Sequence, residues 1–282
     1  MYDTNNISAP KPTYIVQPQD SNWKLDIKNF FEYQDLVSLL VFRDIKIRYV
    51  QSILGVGWAL IQPLFSMIIF TFIFGHLAKI PSNDIPYPLF SYVGLVPWVY
   101  FSSSLADASS SLVSNASMIN KIYFPKIILP LSAIFSKSLD FFISLSLTSL
   151  LLWRYSFLPS LTILYLPFLV LLLVACTAGF SFWLSALSIQ YRDIRYGLGF
   201  FLQLLQYLAP VVYPYSIIPE KYKIIYALNP MVGIIEGFRS CLCTHNAPSF
   251  FLISISTIST LLVFITGIFY FKSTEKLFAD VV

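Results

Sequence analysis

The chain has 282 residues, 57% of them hydrophobic and only 11% charged, where a soluble domain carries roughly 25% charged residues. The charges are clumped and leave long uncharged runs, which excludes a soluble globular enzyme, a disulfide-stapled secreted domain and a disordered chain. An integral helical membrane protein remains, since hydrocarbon requires backbone N–H and C=O groups to be paired within a segment or a closed barrel, and the net charge of +4 is too small and dispersed to argue for nucleic acid.

Residues 1–28 form a polar, Pro-rich cytoplasmic tail without an apolar h-region, so insertion is expected to be directed by the first membrane helix. Residues 29–48 read as an amphipathic helix. On a helical wheel Phe30, Tyr33, Leu36, Val37, Leu40, Val41 and Ile47 share one face, while Glu32, Asp35, Ser38, Arg43 and Lys46 share the other. Such a helix should lie along the cytoplasmic interface.

Residues 49–282 then read as an all-α transmembrane domain of six helices, at about 54–77, 87–106, 128–152, 162–187, 197–214 and 249–271. Each falls in a window close to the roughly 20 apolar residues that a bilayer core requires. The third is interrupted only by Lys137 and Asp140, and the acids Asp107 and Asp193 fall in separate cytoplasmic loops. Between the fifth and sixth spans, residues 220–239 hold two apolar runs split by Asn229-Pro230, each too short to cross. They are expected to be re-entrant half-helices in the outer leaflet. Pro210, Pro214 and Pro219 make the end of the fifth span irregular.

Basic residues set the orientation. With both termini inside, Lys11, Lys24, Lys28, Arg43, Lys46, Arg48, Lys121, Lys126, Arg192, Arg195, Lys272 and Lys276 are cytoplasmic, against Lys79, Arg154, Lys221, Lys223 and Arg239 outside. That imbalance favours N-in, C-in.

The chemistry is sparse. No G-x-x-x-x-G-K-[ST] loop is present, so the chain is not expected to cradle a nucleotide itself. His76 and His245 lack partners for a metal motif, Cys176, Cys241 and Cys243 form no zinc or disulfide framework, and neither a catalytic residue nor a bound cofactor is expected. Lys137 and Asp140, at i and i+3, are expected to neutralise each other against a neighbouring helix, with a proton relay as the sharper alternative. Glu236 and Arg239 have the same spacing and are expected to pair. Among 26 Phe, 18 Tyr and 5 Trp, many must face lipid or the interface. Tyr and Trp also stack on sugar rings, and Trp98, Tyr100, Tyr207 and Tyr213 are the candidates for an aromatic conduit.

Three stretches together resemble the permease subunit of ABC-2-type exporters that move O-antigen, capsular polysaccharide or teichoic acid across the bacterial inner membrane. The first is FRDIKIRYVQSILGVGWALIQP, with Arg43, Asp44, Arg48, Tyr49, Gly55, Trp58 and Pro63. The second runs from Val96 to Pro130 and carries Pro97, Trp98, Asn115, Asn120, Lys121, Phe124 and Pro125. The third comprises YRDI, APVVYP and LNPMVGIIEGFR, with Pro210, Pro214, Asn229, Pro230 and Arg239. Lys137 has no counterpart in this pattern.

The resemblance implies six spans, a second copy of the chain beside the first, and two copies of a separate ABC ATPase subunit that bind ATP and Mg. It implies a polyprenyl-linked glycan as cargo, a small-molecule exporter being the alternative within transport and a lipid-modifying enzyme the alternative outside it. It assigns the turn at about 111–125 to ATPase coupling, with Asn115, Asn120, Lys121, Phe124 and Pro125, flanked by Arg43, Asp44 and Arg48. It assigns Asn229, Pro230, Glu236 and Arg239 to an outer gate.

Overall fold

The computed structural model describes residues 33–50, 52–157, 160–244, 246–275 and 278. The tail at 1–28, the first residues of the interfacial helix, His245 and Lys276 lie outside the described residues. Among the described residues there is no strand. The chain runs through α1 (Gln34–Tyr49), a 3-10 turn (Gly55–Gly57), α2 (Trp58–Phe70) with its π-helical continuation (Thr71–Leu77), and α3 (Tyr87–Ser114). It continues through the single turn α4 (Ala116–Ile119), α5 (Ile128–Arg154), a 3-10 turn (Leu161–Tyr165), α6 (Leu166–Gln190) and α7 (Arg192–Tyr207). The half-helices α8 (Glu220–Ala227) and α9 (Pro230–Cys243) precede α10 (Phe250–Thr274).

Among the described residues, five segments are long and apolar enough to cross a membrane: Gly55–Leu77, Tyr87–Ser114, Ile128–Arg154, Leu161–Gln190 and Phe250–Thr274. The segment expected as a span at 197–214 is helical only as far as Tyr207. Pro210 and Pro214 lack the amide hydrogens a helix would use, and the chain continues irregularly from Leu208 to Pro214. It nevertheless reaches the opposite end of the bundle, where the Tyr87 hydroxyl at the start of α3 donates to the Val212 carbonyl at 2.6 Å.

α3 is the central helix, with α2, α5, α6, α7 and α9 packed around it. Leu89, Tyr92, Leu95, Leu105 and Leu112 along its length are buried. α6 and α10 approach closely because small residues meet at their crossing, as is common where helices pack in lipid. A Cβ on Gly179 would lie 2.8 Å from the Phe264 backbone, and one on Gly267 would lie 2.5 Å from the Gly179 carbonyl oxygen.

α1 departs from its expected faces. Leu40 is buried and Leu36 and Val37 pack on the core, but Ile47 is 71% exposed. Arg43, Asp44 and Arg48 are instead only partly exposed. The helix packs along α5, and its charges turn inward because carboxylates and carbonyls on α3 and α5 receive them, which offsets their desolvation.

Apolar faces stay uncovered on several helices, α10 among them with Ile258, Leu261 and Ile265, and two such faces are rich in aromatic rings. Along α2, Trp58, Phe65, Ile69 and Phe72 are exposed, and along α7, Tyr196, Phe200, Leu204 and Tyr207 are exposed. Each series follows the three-to-four-residue spacing of one helix face.

The break at Asn229-Pro230 occurs as expected. The Asn229 side chain accepts from the Met231 amide at 3.1 Å and Pro230 occupies the first helical position, an N-cap and a starting residue suited to open a helix. α9 differs from a peripheral flap, however. Apart from Glu236 and Ser240 its residues are buried, whereas Ile224 and Ile225 on α8 are exposed.

Candidate functional site

Three groups of polar side chains stand out, one at each end of the bundle and one between. At the end carrying α1, the Asn115 side chain caps its own helix, donating to the Ser111 carbonyl at 2.7 Å while accepting from Arg43 Nη1 at 2.8 Å. Arg43 also binds the Asp44 carboxylate at 2.8 Å. Arg43, Asp44 and Asn115 are thus brought together. Beyond them Asn120, Lys121, Ile122 and Tyr123 form an exposed tip, while Phe124 is buried beneath it and Pro125 is partly covered. A residue that the sequence did not single out steadies this turn: Glu275 accepts from the Lys126 amide at 3.1 Å, and its carbonyl accepts from Lys126 Nζ at 3.2 Å. Phe278, just beyond, is buried against Phe271.

The middle group overturns the pairing expected of Lys137 and Asp140. Lys137 binds Asp107 at 2.9 Å. Asp140 binds Arg48 at 3.0 Å and accepts from the Tyr49 hydroxyl. Arg48 also reaches Asp107 at 3.1 Å, Ser136 Oγ at 3.2 Å and the Ser136 carbonyl at 3.4 Å. Same-face spacing permits an i, i+3 pair, but partners on α1 and α3 give each charge a better-placed counter-ion.

Two placements change as a result. Asp107 lies inside α3 rather than in a loop, and Arg48 belongs to this inner cluster rather than to the exposed turn. Two cations and two carboxylates balance to zero, which makes the group tolerable inside a bundle. Lys137 stands nine residues into α5, about 14 Å along the helix axis. Arg48, Tyr49, Lys137 and Asp140 line a cavity of about 240 Å³, with Trp58 and Gln62 of the first membrane segment on another side.

At the far end, Glu236 and Arg239 pair as expected, at 3.0 Å. The pair is one part of a larger lock. Arg239, 2% exposed, donates to the Val211 carbonyl at 2.7 Å and the Phe90 carbonyl at 3.3 Å, and its guanidinium lies 3.6 Å from the Phe90 ring centroid. Glu236 also accepts from the Tyr215 amide at 3.1 Å. Gly94 makes this possible, because a Cβ there would fall 2.6 Å from Arg239 Nη2. Asn229 further ties the break between α8 and α9 to the residue that follows α7, by donating to the Leu208 carbonyl at 3.4 Å.

The four conduit candidates separate. Trp98 and Tyr100 are 3% and 4% exposed, packed in the core among α3 and its neighbours, with Tyr100 at the wall of the cavity beside the charge cluster. Tyr207 is exposed and Tyr213 half-buried; the Tyr213 hydroxyl donates to the Tyr207 carbonyl at 2.7 Å. Tyr226 on α8 donates to the Tyr213 hydroxyl at 3.1 Å. Burial holds the Tyr226 phenol above its ordinary pKa.

Comparison with known proteins gives one consistent picture. A family model described as ABC-2 type transporter matches residues 35–243. The chain is 31% identical over 248 residues to the O-antigen export system permease protein RfbA of Klebsiella pneumoniae, covering 88% of this chain and 95% of that protein. It is 28% identical to the RfbA permease of Myxococcus xanthus, covering 90% and 98%. It is 24% identical to the polysialic acid transport protein KpsM of Escherichia coli, covering 87% and 96%.

Proposed function

From the premise that the chain belongs to the ABC-2 type transporter family, we propose that it is the membrane subunit of an exporter that moves a lipid-linked polysaccharide across the bacterial inner membrane. It works as a pair of identical subunits with two copies of an ABC ATPase, which bind ATP and Mg, and both termini face the cytoplasm. Six crossings follow in this reading, the fifth made of α7 and the irregular stretch after it. The exposed turn with Asn120 and Lys121 docks the ATPase, and Arg43, Asp44 and Asn115 support it from behind.

The observation that carries the substrate class is the pair of uncovered faces on α2 and α7. Lipid needs no hydrogen-bonding groups on the faces it covers. These faces present Trp58, Phe65 and Phe72 with Gln62 among them, and Tyr196, Phe200 and Tyr207. Aromatic rings with nearby hydrogen-bonding groups suit the apolar faces and hydroxyl edges of sugars. A conduit formed between two copies along these faces assembles and parts without unpacking either core. The outer gate narrows to α8, the exposed half of the hairpin, moving about Asn229-Pro230 while α9 stays anchored.

The test is to remove the chain from its cell and restore it on a plasmid. Loss of the surface polysaccharide, with lipid-linked polymer accumulating on the cytoplasmic side and both reversed on complementation, is the expected result. Undiminished surface polysaccharide in the deletion strain would overturn the reading. Cysteines introduced in a background lacking the native three sharpen the topology: Ser82→Cys and Asn246→Cys should react with an impermeant reagent in intact cells, and Ser114→Cys should not. For the gate, cross-linking Ile225→Cys between two copies should stop export while the ATPase stays bound.

A further inference from the structure

The mid-bundle charge cluster belongs neither to the exposed turn nor to the far-end hairpin, and its geometry divides it in two. Lys137 meets one carboxylate, Asp107, and so joins α5 to α3. Arg48 spans Asp107, Asp140 and Ser136, and its neighbour Tyr49 donates to Asp140 as well. Both Arg48 and Tyr49 close the last turn of α1. Five residues earlier the same helix is held to the foot of α3 by Arg43 and Asn115. α1 is therefore pinned at two heights. Past it the chain leaves the helix and enters the first membrane segment through Gly55, whose φ of +48° is left-handed, a conformation that glycine adopts without strain.

We propose that Arg48, assisted by Tyr49, is a positioning residue for export: it fixes the α1 side of this joint against α3 and α5, so that movement of the Asn115 turn is delivered through α1 to the base of the first membrane segment. Lys137 has the lesser task of balancing Asp107. A guanidinium reaches two carboxylates and a serine with separate N–H groups, whereas an ammonium on a similar stem is a point charge without that planar fork. The two cations are not interchangeable, since the ion pair of Lys137 is with Asp107 on α3 while Arg48 also reaches Asp140 and Ser136 on α5. The inference rests on the export reading above.

The experiment uses the full chain in its own cell, with accumulation of each variant in the membrane measured alongside surface polysaccharide. Arg48→Lys keeps the charge and loses the bridge, and should reduce export by about tenfold or more at normal accumulation. Lys137→Met and Asp107→Asn each leave the cluster with an unbalanced charge and should each reduce export by about fivefold, while the double variant, neutral again, should return to within about twofold of the parent. Wild-type export from Arg48→Lys, or a double variant no better than its singles, would overturn the proposal.

A second readout does not depend on the cargo. Ser103 lines the cavity beside the cluster, and Ser103→Cys, in a background without native cysteines, should react about fivefold faster with a small charged thiol reagent in inverted membranes once Arg48→Lys releases α1. If the cargo is not a glycan, the surface assay fails in the parent as well, and this rate still separates the two variants; equal rates sink the inference. Should Arg48→Lys not accumulate, Tyr49→Phe removes only the hydroxyl contact to Asp140 and should lower export by about threefold; unchanged export there would count as failure.

Discussion

The two charge groups inside the bundle differ in what satisfies them. Arg239 at the far end is enclosed, and three of its partners are fixed features of neighbouring elements: the Val211 and Phe90 carbonyls and the Phe90 ring. Arg48 is part-exposed beside a cavity, and its charge partners are carboxylate side chains on two other helices. A guanidinium held by backbone carbonyls and an aromatic face has no alternative arrangement without unpacking α9 from α3. One shared among side chains can exchange partners while the helices remain folded. The far-end group therefore welds the fold, and the mid-bundle group tethers elements that can move. The same contrast separates α9, buried and locked, from α8, exposed and joined to it across the break at Asn229-Pro230.

Arg239→Leu should have the largest effect of any substitution here. It strands Glu236 and two carbonyls in the interior, and removing one partner of a buried ion pair costs about 3–5 kcal/mol. Thermal unfolding of the purified chain in detergent should show the loss, and Arg239→Lys should not restore it, because an ammonium lacks the planar fork and the stacking on Phe90. A variant as stable as the parent would place Arg239 among the tethers instead.

Gly94→Val attacks the same weld from the other side. The new side chain meets Arg239 Nη2 and the Val211 carbonyl at 2.6 and 3.2 Å from its Cβ alone, and overpacking of this kind costs about 1–3 kcal/mol. Combining it with Arg239→Leu should cost less than the sum of the two, since the clash disappears with the guanidinium. Strict additivity, measured by the same unfolding assay, would mean that Gly94 matters for another reason.

Lys137→Met should be the mildest for stability. Asp107 keeps its contact with Arg48 and is 43% exposed, so the loss should be about 1 kcal/mol or less. Its effect on export should exceed its effect on unfolding, which is the mark of a tether. A stability loss as large as that of Arg239→Leu would erase the distinction between the two groups.

The i, i+3 spacing of Glu236 and Arg239 made one ion pair legible from the chain alone, yet identical spacing misled at Lys137 and Asp140. On α9 the two side chains are enclosed together and the local partner is retained. On α5 the face is open to α1 and α3, and Arg48 and Asp107 intervene. Periodicity along one helix reports which residues share a face and is silent about what stands opposite. Asp107 illustrates this, because the uncharged span ends just before it, although the helix continues and the serine hydroxyls around it bond back to its carbonyls, as Ser109 does to Ala106 at 2.8 Å. Trp98 and Tyr100 were similarly ambiguous, since aromatic residues serve core and conduit alike.

By itself the sequence determined the membrane environment, the helical class, five of the long apolar segments, the break at Asn229-Pro230 and the presence of an exposed polar turn after α3. These follow from local quantities: hydropathy over a span, the missing proline donor and capping chemistry near each break. The tertiary structure alone decided where the fifth segment leaves its helix, that α9 is core while α8 is not, and that Gly94 clears space for Arg239. It alone decided that Glu275 braces the turn and that Arg48 sits inside the bundle. Each of these depends on contacts between residues far apart in the chain, whose energies are set by which surfaces meet and not by the pattern on either one.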